Sequence, residues 1–257
     1  MGRGIIILMN IFISIIIFIM GLIFGSFFAC AGLRIPKKIS LIKPNSYCPK
    51  CNHELAWYMN IPLFSYIFLK GKCAYCNNKI SKVYPIIELF TASSFLLFYL
   101  LYGCSYNFFI SIILCSALSI TLVSDFYYYY ISDRVLVISS VLLIICNIIF
   151  NGIKLSIYNI LYALIMLIIM ILLKLLGNYL FKKESLGTGD IKLIFMASLP
   201  HNLYISLITL FVSSFLGLIY SLFCRDKKEN IIPFGPFILI ASLITLYFTK
   251  ELLTFII

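Results

Sequence analysis

The sequence predicts an all-α polytopic membrane protein of about seven to eight transmembrane helices, with one cytoplasmic, cysteine-bearing loop between helices 1 and 2. Three observations predict it. Of 257 residues, 63% are hydrophobic and only 11% are charged, and mean hydropathy is positive. A water-soluble domain of that composition has too little polar surface to cover its apolar side chains. Uncharged runs recur near the ~20 residues that one helical crossing of the bilayer core requires. The basic residues, finally, gather in loops.

Taken in order, the first run, 5–31, has only Arg3 ahead of it and no small-residue cleavage site followed by a polar mature region. It therefore reads as a retained helix, not a removed signal. Residues 34–82 carry nine basic side chains (Arg34, Lys37, Lys38, Lys43, Lys50, Lys70, Lys72, Lys79 and Lys82) against one acid, Glu54. By the positive-inside rule this loop faces the cytoplasm. Further crossings are expected at 84–102, 107–124, 134–150, 155–180, 203–223 and 233–250. The short run 191–199 closes at Pro200 and reads as an eighth, broken or partial crossing. If it counts as a crossing, 103–106 and 151–154 lie outside, and 125–133, 181–190 and 224–232 lie inside. Arg134, Lys182, Lys183, Arg225, Lys227 and Lys228 then share the inner side, opposed only by Lys154. The division is a first transmembrane helix at 1–33, a cytoplasmic loop at 34–83 and a transmembrane domain at 84–257. The net charge of +11 is ordinary for a protein whose cytoplasmic loops collect Lys and Arg. It implies anionic lipid headgroups as partners, with no nucleic acid.

Nine cysteines divide into two kinds. Cys30, Cys104, Cys115, Cys146 and Cys224 are scattered in or beside apolar runs, where thiols act as small hydrophobes. Cys48, Cys51, Cys73 and Cys76 form CPKC and CAYC, two C-x2-C pairs that can complete a closed tetrahedral S4 shell around a structural zinc. A disulfide pairing is the alternative, opposed by a reducing cytoplasm, and iron is a second metal such a shell accepts. A loop this rich in Lys, Asn and Pro has little core of its own, and metal binding supplies folding free energy of about 10 kcal/mol. His53 reads as a neighbour of the metal shell or a surface residue, not a fifth ligand.

Three of the nine acids fall at helix ends on the same face: Asp125, Asp133 and Asp190. Ionisable groups at the hydrocarbon boundary are costly, so each is a candidate site residue. Asp133, following Ser132 at the start of an apolar run, is divided between helix cap and site. Asp125 ends its helix, where a negative charge opposes the dipole and no structural reason for it is visible. Asp190 follows Gly187 and Gly189 in SLGTGDIKL, where the glycines are expected to interrupt the helix just ahead of the acid. Two carboxylates held together cannot both ionise easily; one keeps a proton while the other activates water, as in aspartic proteases. Between them, VSDFYYYYISD places four tyrosines where aromatic rings anchor at the membrane interface.

Five elements, in order, resemble the bacterial type IV prepilin peptidases, bifunctional membrane enzymes that also serve competence and type II secretion. They are GSFFACAGLRIP at 25–36, the loop from CPKC to YPIIE with its NIP, SY and GKC landmarks, DFYYYYISD, KESLGTGDIKL, and IPFGPF at 232–237. The resemblance spans nearly the whole chain. It implies a Gly-x-Gly-Asp aspartic endopeptidase of the bacterial cytoplasmic membrane, its active site facing the cytoplasm, with Asp125 and Asp190 as the catalytic pair and the loop at 34–83 as a zinc ribbon. Asp133 matches a position that also accepts Asn, which suits capping better than proton transfer. Glu88, Glu184 and Lys192 match family positions with supporting or structural roles. Substrates would be prepilins or pseudopilins, cut after a glycine at the end of a basic leader, with the new N-terminus then methylated from S-adenosylmethionine. Two departures stand out: Ser132 replaces the usual proline, and FFACAG replaces a more familiar asparagine-bearing segment. A presenilin-like protease without methylation, or a zinc-stabilised secretion scaffold with inactive acids, are the alternatives.

Overall fold

The computed structural model describes residues 2–43, 45–223 and 232–249, with side chains from residue 8 onward. Of the expected inner loop at 224–232, residues 224–231, with Cys224, Arg225, Lys227 and Lys228, lie outside the described residues. Among them the regular structure is all helical, in two compact units, Met1–Cys104 and Ser105–Ile257.

The first unit contains α1 (Gly2–Arg34), a 3-10 turn (Trp57–Asn60), α2 (Phe64–Phe68) and α3 (Val83–Tyr102). Gly21 and Gly25, four residues apart, let α1 lie directly on α3. A Cβ at Gly21 would stand 2.5 Å from the Ala92 Cα, and one at Gly25 would stand 2.8 Å from the Glu88 Cα. Within lipid, where burial of apolar surface gives helices no reason to associate, such small-residue seams supply the close backbone packing that does. Ala29 and Ala92 on the same seam are fully buried, whereas Ile86, Leu89, Leu97 and Leu100 on other faces of α3 are exposed as lipid-facing side chains should be.

The second unit contains α4 (Tyr106–Tyr128), α5 (Asp133–Phe181), α6 (Thr188–Ser198), α7 (Leu203–Phe223) and α8 (Gly235–Tyr247). The 49 residues of α5 are two helices joined at Gly152, whose φ of 79° and ψ of 166° only glycine adopts readily. Its halves correspond to the expected crossings 134–150 and 155–180. Among the described residues, counting α5 once, five helices are long and apolar enough to cross a membrane, and α8 is a shorter apolar helix. The chain is thus a multi-pass membrane protein.

The ambiguous run at 191–199 is resolved as a partial crossing. Helix α6 has 11 residues, about 16 Å of rise against a hydrocarbon core of about 30 Å. It packs against α5, α7 and α8. A helix that stops inside the bilayer leaves its last carbonyls without water, and each must find a donor. Here the Asn147 amide of α5 donates to the Leu199 carbonyl at 3.0 Å, and the Ser242 hydroxyl of α8 donates to the Ala197 carbonyl at 3.2 Å. Tyr106 hydrogen-bonds the Asn147 carboxamide oxygen, and His201 Nε2 lies 3.1 Å from Ser242 Oγ. These buried polar residues are the C-terminal cap of α6, supplied by its neighbours.

Replacing Asn147 by Leu leaves the Leu199 carbonyl without its donor and takes one acceptor from the Tyr106 hydroxyl, and should cost about 1–3 kcal/mol. The measurement is the unfolding midpoint in detergent, where a clear drop is expected for Asn147→Leu and little change for Leu142→Ala on the exposed face of the same helix.

Candidate functional site

The second unit contains a cleft of about 930 Å³ at the α4–α5 turn. Asp125, Asp133, Glu184, Gly187, Gly189, Asp190 and Lys192 all line it. Seven candidates drawn from two separate motifs thus meet at one water-accessible hollow. Glu88 belongs to the first unit and serves there, as described below. Tyr129 and Tyr130 also line the cleft, so half of the tyrosine ladder borders the site itself.

Asp125 lies three residues before the end of α4, which closes with Tyr129 in the left-handed region (φ 49°, ψ 42°). The Tyr129 N–H returns to the Asp125 carbonyl at 2.9 Å, so the turn reverses immediately beyond the acid. Its side chain is buried, at 5% exposure, and Oδ2 accepts the backbone N–H of Gly235 at 3.1 Å. Gly235 opens α8. First-turn N–H groups have no partner within their own helix and carry partial positive charge. The N-terminus of α8 thus compensates a carboxylate placed at the unfavourable end of α4.

Asp190 occupies the first turn of α6, where the helix dipole favours it. It is close enough to Asp125 for the two carboxyl groups to interact electrostatically. Among the described residues no N–H or side chain hydrogen-bonds its carboxylate. The glycines ahead of it differ from expectation. Neither has positive φ, and Gly189 is already inside the helix. Their role is space. A Cβ on Gly187 would lie 3.0 Å from Asp190 Oδ2, and a Cβ on Gly189 would lie 3.0 Å from Ile131 Cβ. A Cβ on Gly235 would meet the same Ile131, at Cδ1, 3.0 Å away, and Asp125 Oδ2 at the same distance. Ile131 is therefore held between the N-terminal turns of α6 and α8.

The capping expectation for Ser132 and Asp133 is corrected. Ser132 does hold the N-cap position of α5, but its side chain makes no capping bond, and its buried Oγ has no hydrogen-bond partner among the described residues. Asp133 pairs with Lys192 of α6 at 2.7 Å. Glu184 pairs with Lys174 at 2.9 Å. Both carboxylates are exposed, so each pair contributes under about 1 kcal/mol and acts mainly to set position. Lys192 is thereby a partner of Asp133, and its aliphatic stem need not reach for headgroups.

In the first unit, Cys48, Cys51, Cys73 and Cys76 converge, with all four sulfurs within 4.8 Å of one another. The two C-x2-C turns are built alike. The N–H of the residue after the second cysteine bonds the first cysteine's carbonyl (Asn52 to Cys48, 2.8 Å; Asn77 to Cys73, 2.9 Å), and both asparagines are left-handed (φ 58° and 57°). An isolated antiparallel bridge flanks each turn, Tyr47 with Glu54 and Lys72 with Lys79. Tetrahedral ligation at a Zn–S distance of about 2.3 Å places sulfurs about 3.8 Å apart, and Cys48 Sγ and Cys76 Sγ are 3.8 Å apart. Hydrogen bonds from the Asn78 backbone and side chain lower the Cys76 thiol, which favours the thiolate that ligates metal. The donor set fits a thiophilic metal. His53 lies against Tyr75, ring centroids 3.6 Å apart with the planes tilted by 39°, and stands outside the cluster of four sulfurs.

Comparison with known proteins shows the family. The sequence model of the bacterial peptidase A24 N-terminal domain matches residues 19–102, and that of the type IV leader peptidase family matches 112–222. The prepilin leader peptidase/N-methyltransferase of Bacillus subtilis (strain 168) is 32% identical over 250 residues, 93% of this chain and 96% of that protein. The chain belongs to the type IV leader peptidase family. The prepilin leader peptidase/N-methyltransferase of Neisseria gonorrhoeae is 35% identical over 220 residues, covering 81% of this chain and 75% of that protein. The Pseudomonas aeruginosa enzyme of the same name is 29% identical over 266 residues, covering 91% and 90%. No solved structure matches the chain.

Several leader peptidase landmarks acquire physical reasons here. Glu88, of YPIIE, is buried in α3, and its Oε2 accepts the N–H of Leu63, of NIPL, at 2.8 Å. Leu63 (φ 59°, ψ −50°) is the centre of a γ-turn closed by the Phe64 N–H on the Pro62 carbonyl at 2.7 Å. Arg34, of R-x-P, donates to the Ser40 and Asn45 carbonyls at 3.2 and 3.1 Å, which gathers the start of the loop. Sequence reasoning missed the roles of Gly235 and Ile131. Their signal was a glycine in FGPF and an apolar residue next to the second acid, neither of which announces a contact across 100 residues.

Ser132 stands where relatives are expected to carry proline, and a proline there would remove an unpartnered buried hydroxyl and stiffen the turn into α5. Ser132→Pro should leave the unfolding midpoint unchanged or raise it by a stabilisation of up to about 1 kcal/mol; a lower midpoint in detergent would show that the hydroxyl has a partner.

Proposed function

We propose that this protein is a prepilin peptidase of the bacterial cytoplasmic membrane in which Asp125 and Asp190 together activate water. The observation that carries the reading is that both carboxylates line one open cleft, where Asp125 is oriented by the Gly235 N–H and Asp190 has no hydrogen-bond partner among the described residues. A carboxylate kept in place without a structural partner is available to a substrate. Of two close carboxyls, one is ionised and one protonated. The ionised group takes a proton from water, whose oxygen attacks the scissile carbonyl carbon. The protonated group donates to the carbonyl oxygen, giving a tetrahedral diol. The carboxyl that took the water proton then gives it to the departing nitrogen while the other, now ionised, takes a proton from a diol hydroxyl; the C–N bond breaks, the new carboxyl forms, and leader and mature chain are released with one proton left on the pair as before.

The substrates proposed are prepilin-like proteins, cut after a glycine on the cytoplasmic side while their apolar helix stays in the bilayer. The position of the cleft at the α4–α5 turn, beside interfacial tyrosines, supports this, since a peptide bond at the end of a membrane helix needs a water-accessible site at that depth. The excess of Lys and Arg in the loop supports a cytoplasmic placement and contact with anionic lipid. Zinc is the metal proposed for the four cysteines, which would hold it in a closed shell with a structural role. N-methylation from S-adenosylmethionine is proposed from the names of the relatives; no residue is assigned to that donor.

The test is cleavage of a prepilin by the purified protein in vesicles, with the mass of the mature N-terminus read in the same assay. Asp125→Asn and Asp190→Asn should each lose about 10³-fold or more in rate, as expected on removing a general acid or base. Asp133→Asn should retain activity within about threefold, since it forfeits only an exposed ion pair. Full cleavage by either of the first two variants would overturn the mechanism. Cleavage without added mass would leave a peptidase alone.

The metal is tested separately. Protein purified without added metal should contain one zinc per chain by elemental analysis. Cys48→Ser with Cys73→Ser should abolish it and make the loop sensitive to protease. A folded, metal-free wild type would refute the assignment.

A further inference from the structure

The residues between the two cysteine turns form a surface unlike the rest of the loop. Trp57, Tyr58, Ile61, Phe64, Ile67 and Phe68 are all exposed, Trp57 and Phe68 at 80%. Six large apolar side chains within twelve consecutive residues are not tolerated in contact with water without a reason. No lipid-facing role follows from the elements themselves, because α2 has only five residues and cannot cross a bilayer.

The attachment of this segment supplies the reason. Glu88 is the sixth residue of α3, about 7.5 Å along that helix from its first residue. Side chains on a helix lean toward its N-terminus, so the Glu88 carboxylate points back toward the end at which α3 enters the membrane. There it accepts the Leu63 N–H, at the γ-turn that leads into α2. The hydrogen bond therefore holds residues 61–68 beside the first turns of a membrane-spanning helix, at the level of the interface. Lys70 and Lys72 follow α2 directly, and tryptophan and tyrosine are the residues that partition to the headgroup level.

We propose that residues 57–68 form an interfacial wedge, its aromatic and aliphatic side chains inserted into the headgroup and upper acyl region of the bilayer and Lys70 and Lys72 placed at anionic lipid phosphates. Glu88 is the positioning residue that sets its depth. The occupant of the apolar surface is lipid, rather than a second copy of the chain or a substrate helix, because the surface is anchored at the level where lipid is already the neighbour of α3 and because its flanking charge complements anionic headgroups.

Trp57 is the single tryptophan of the chain, so its emission reports on this segment alone. The full-length protein would be reconstituted in vesicles of phosphatidylcholine and phosphatidylglycerol, with and without lipids brominated at defined acyl positions. Brominated lipid should reduce the emission at least about twofold, most strongly for the shallowest bromine, and aqueous iodide should quench at least about threefold less than it quenches free tryptophanamide. Phe64→Ser with Phe68→Ser should weaken the quenching by brominated lipid. Iodide quenching equal to that of free indole, with no effect of bromine, would overturn the proposal. Protection from iodide without quenching by bromine would also overturn it, and would assign the surface to protein. Neither readout depends on peptidase activity, so failure here and failure of the proposed function are separable.

Discussion

Ile131 is held between two glycines, and the site depends on that contact. Its side chain lies against the positions a Cβ would take on Gly189 and on Gly235, so the N-terminal turns of α6 and α8 close onto the same residue of the α4–α5 turn. Asp190 is carried by one of those turns, and the N–H that orients Asp125 is carried by the other. Any larger residue at either glycine would separate the helices at the point where their chemistry must coincide. The Gly-x-Gly-Asp motif is thus a statement about distance rather than about backbone freedom.

A second constraint follows from the first. To place Asp190 at the cleft, α6 starts at the membrane boundary, and with 11 residues it ends inside the bilayer. Its terminal carbonyls then require donors where water is scarce. Asn147 and Ser242 meet that requirement from α5 and α8, and so polar residues that contribute nothing to the reaction are fixed deep in an apolar bundle. The first unit solves a similar problem with different means. Its loop has little apolar core, so order comes from four sulfurs in a space of 4.8 Å, from Arg34 on two carbonyls, and from the buried Glu88 on the Leu63 N–H.

The sequence made legible what is periodic or locally dense. Apolar runs marked the crossings, including the division of α5 at Gly152, because length and hydrophobicity are properties of consecutive residues. The cysteine quartet was legible because C-x2-C spacing is itself the geometry of a turn. Asp125 and Asp190 could be set apart because each sits where charge is costly. The missing parts are long-range. The pairing of Glu88 with Leu63 joins residues 25 apart, and that of Asp125 with Gly235 joins residues 110 apart. The Gly21 and Gly25 seam was present as GLIFG but carries meaning only when a second helix is known to face it. The orphan hydroxyl of Ser132 was invisible because a serine before a helix ordinarily caps it.

Apart from Glu54, exposed in the loop, the acids of the described residues divide by the company they keep, and that division bears on function. The two deeply buried ones, Asp125 and Glu88, each accept a backbone N–H. The two exposed ones in the cleft, Asp133 and Glu184, each pair with a lysine. In all four cases the partner accounts for part of the cost of holding a carboxylate near hydrocarbon. Asp190 is half-buried beside a like charge, and no partner among the described residues offsets that placement. A group under those conditions is stabilised by what enters the cleft: water, a proton, or a peptide carbonyl. Its isolation distinguishes it from the paired Asp133 close by, and it links the structural cost of the site directly to the chemistry proposed for it.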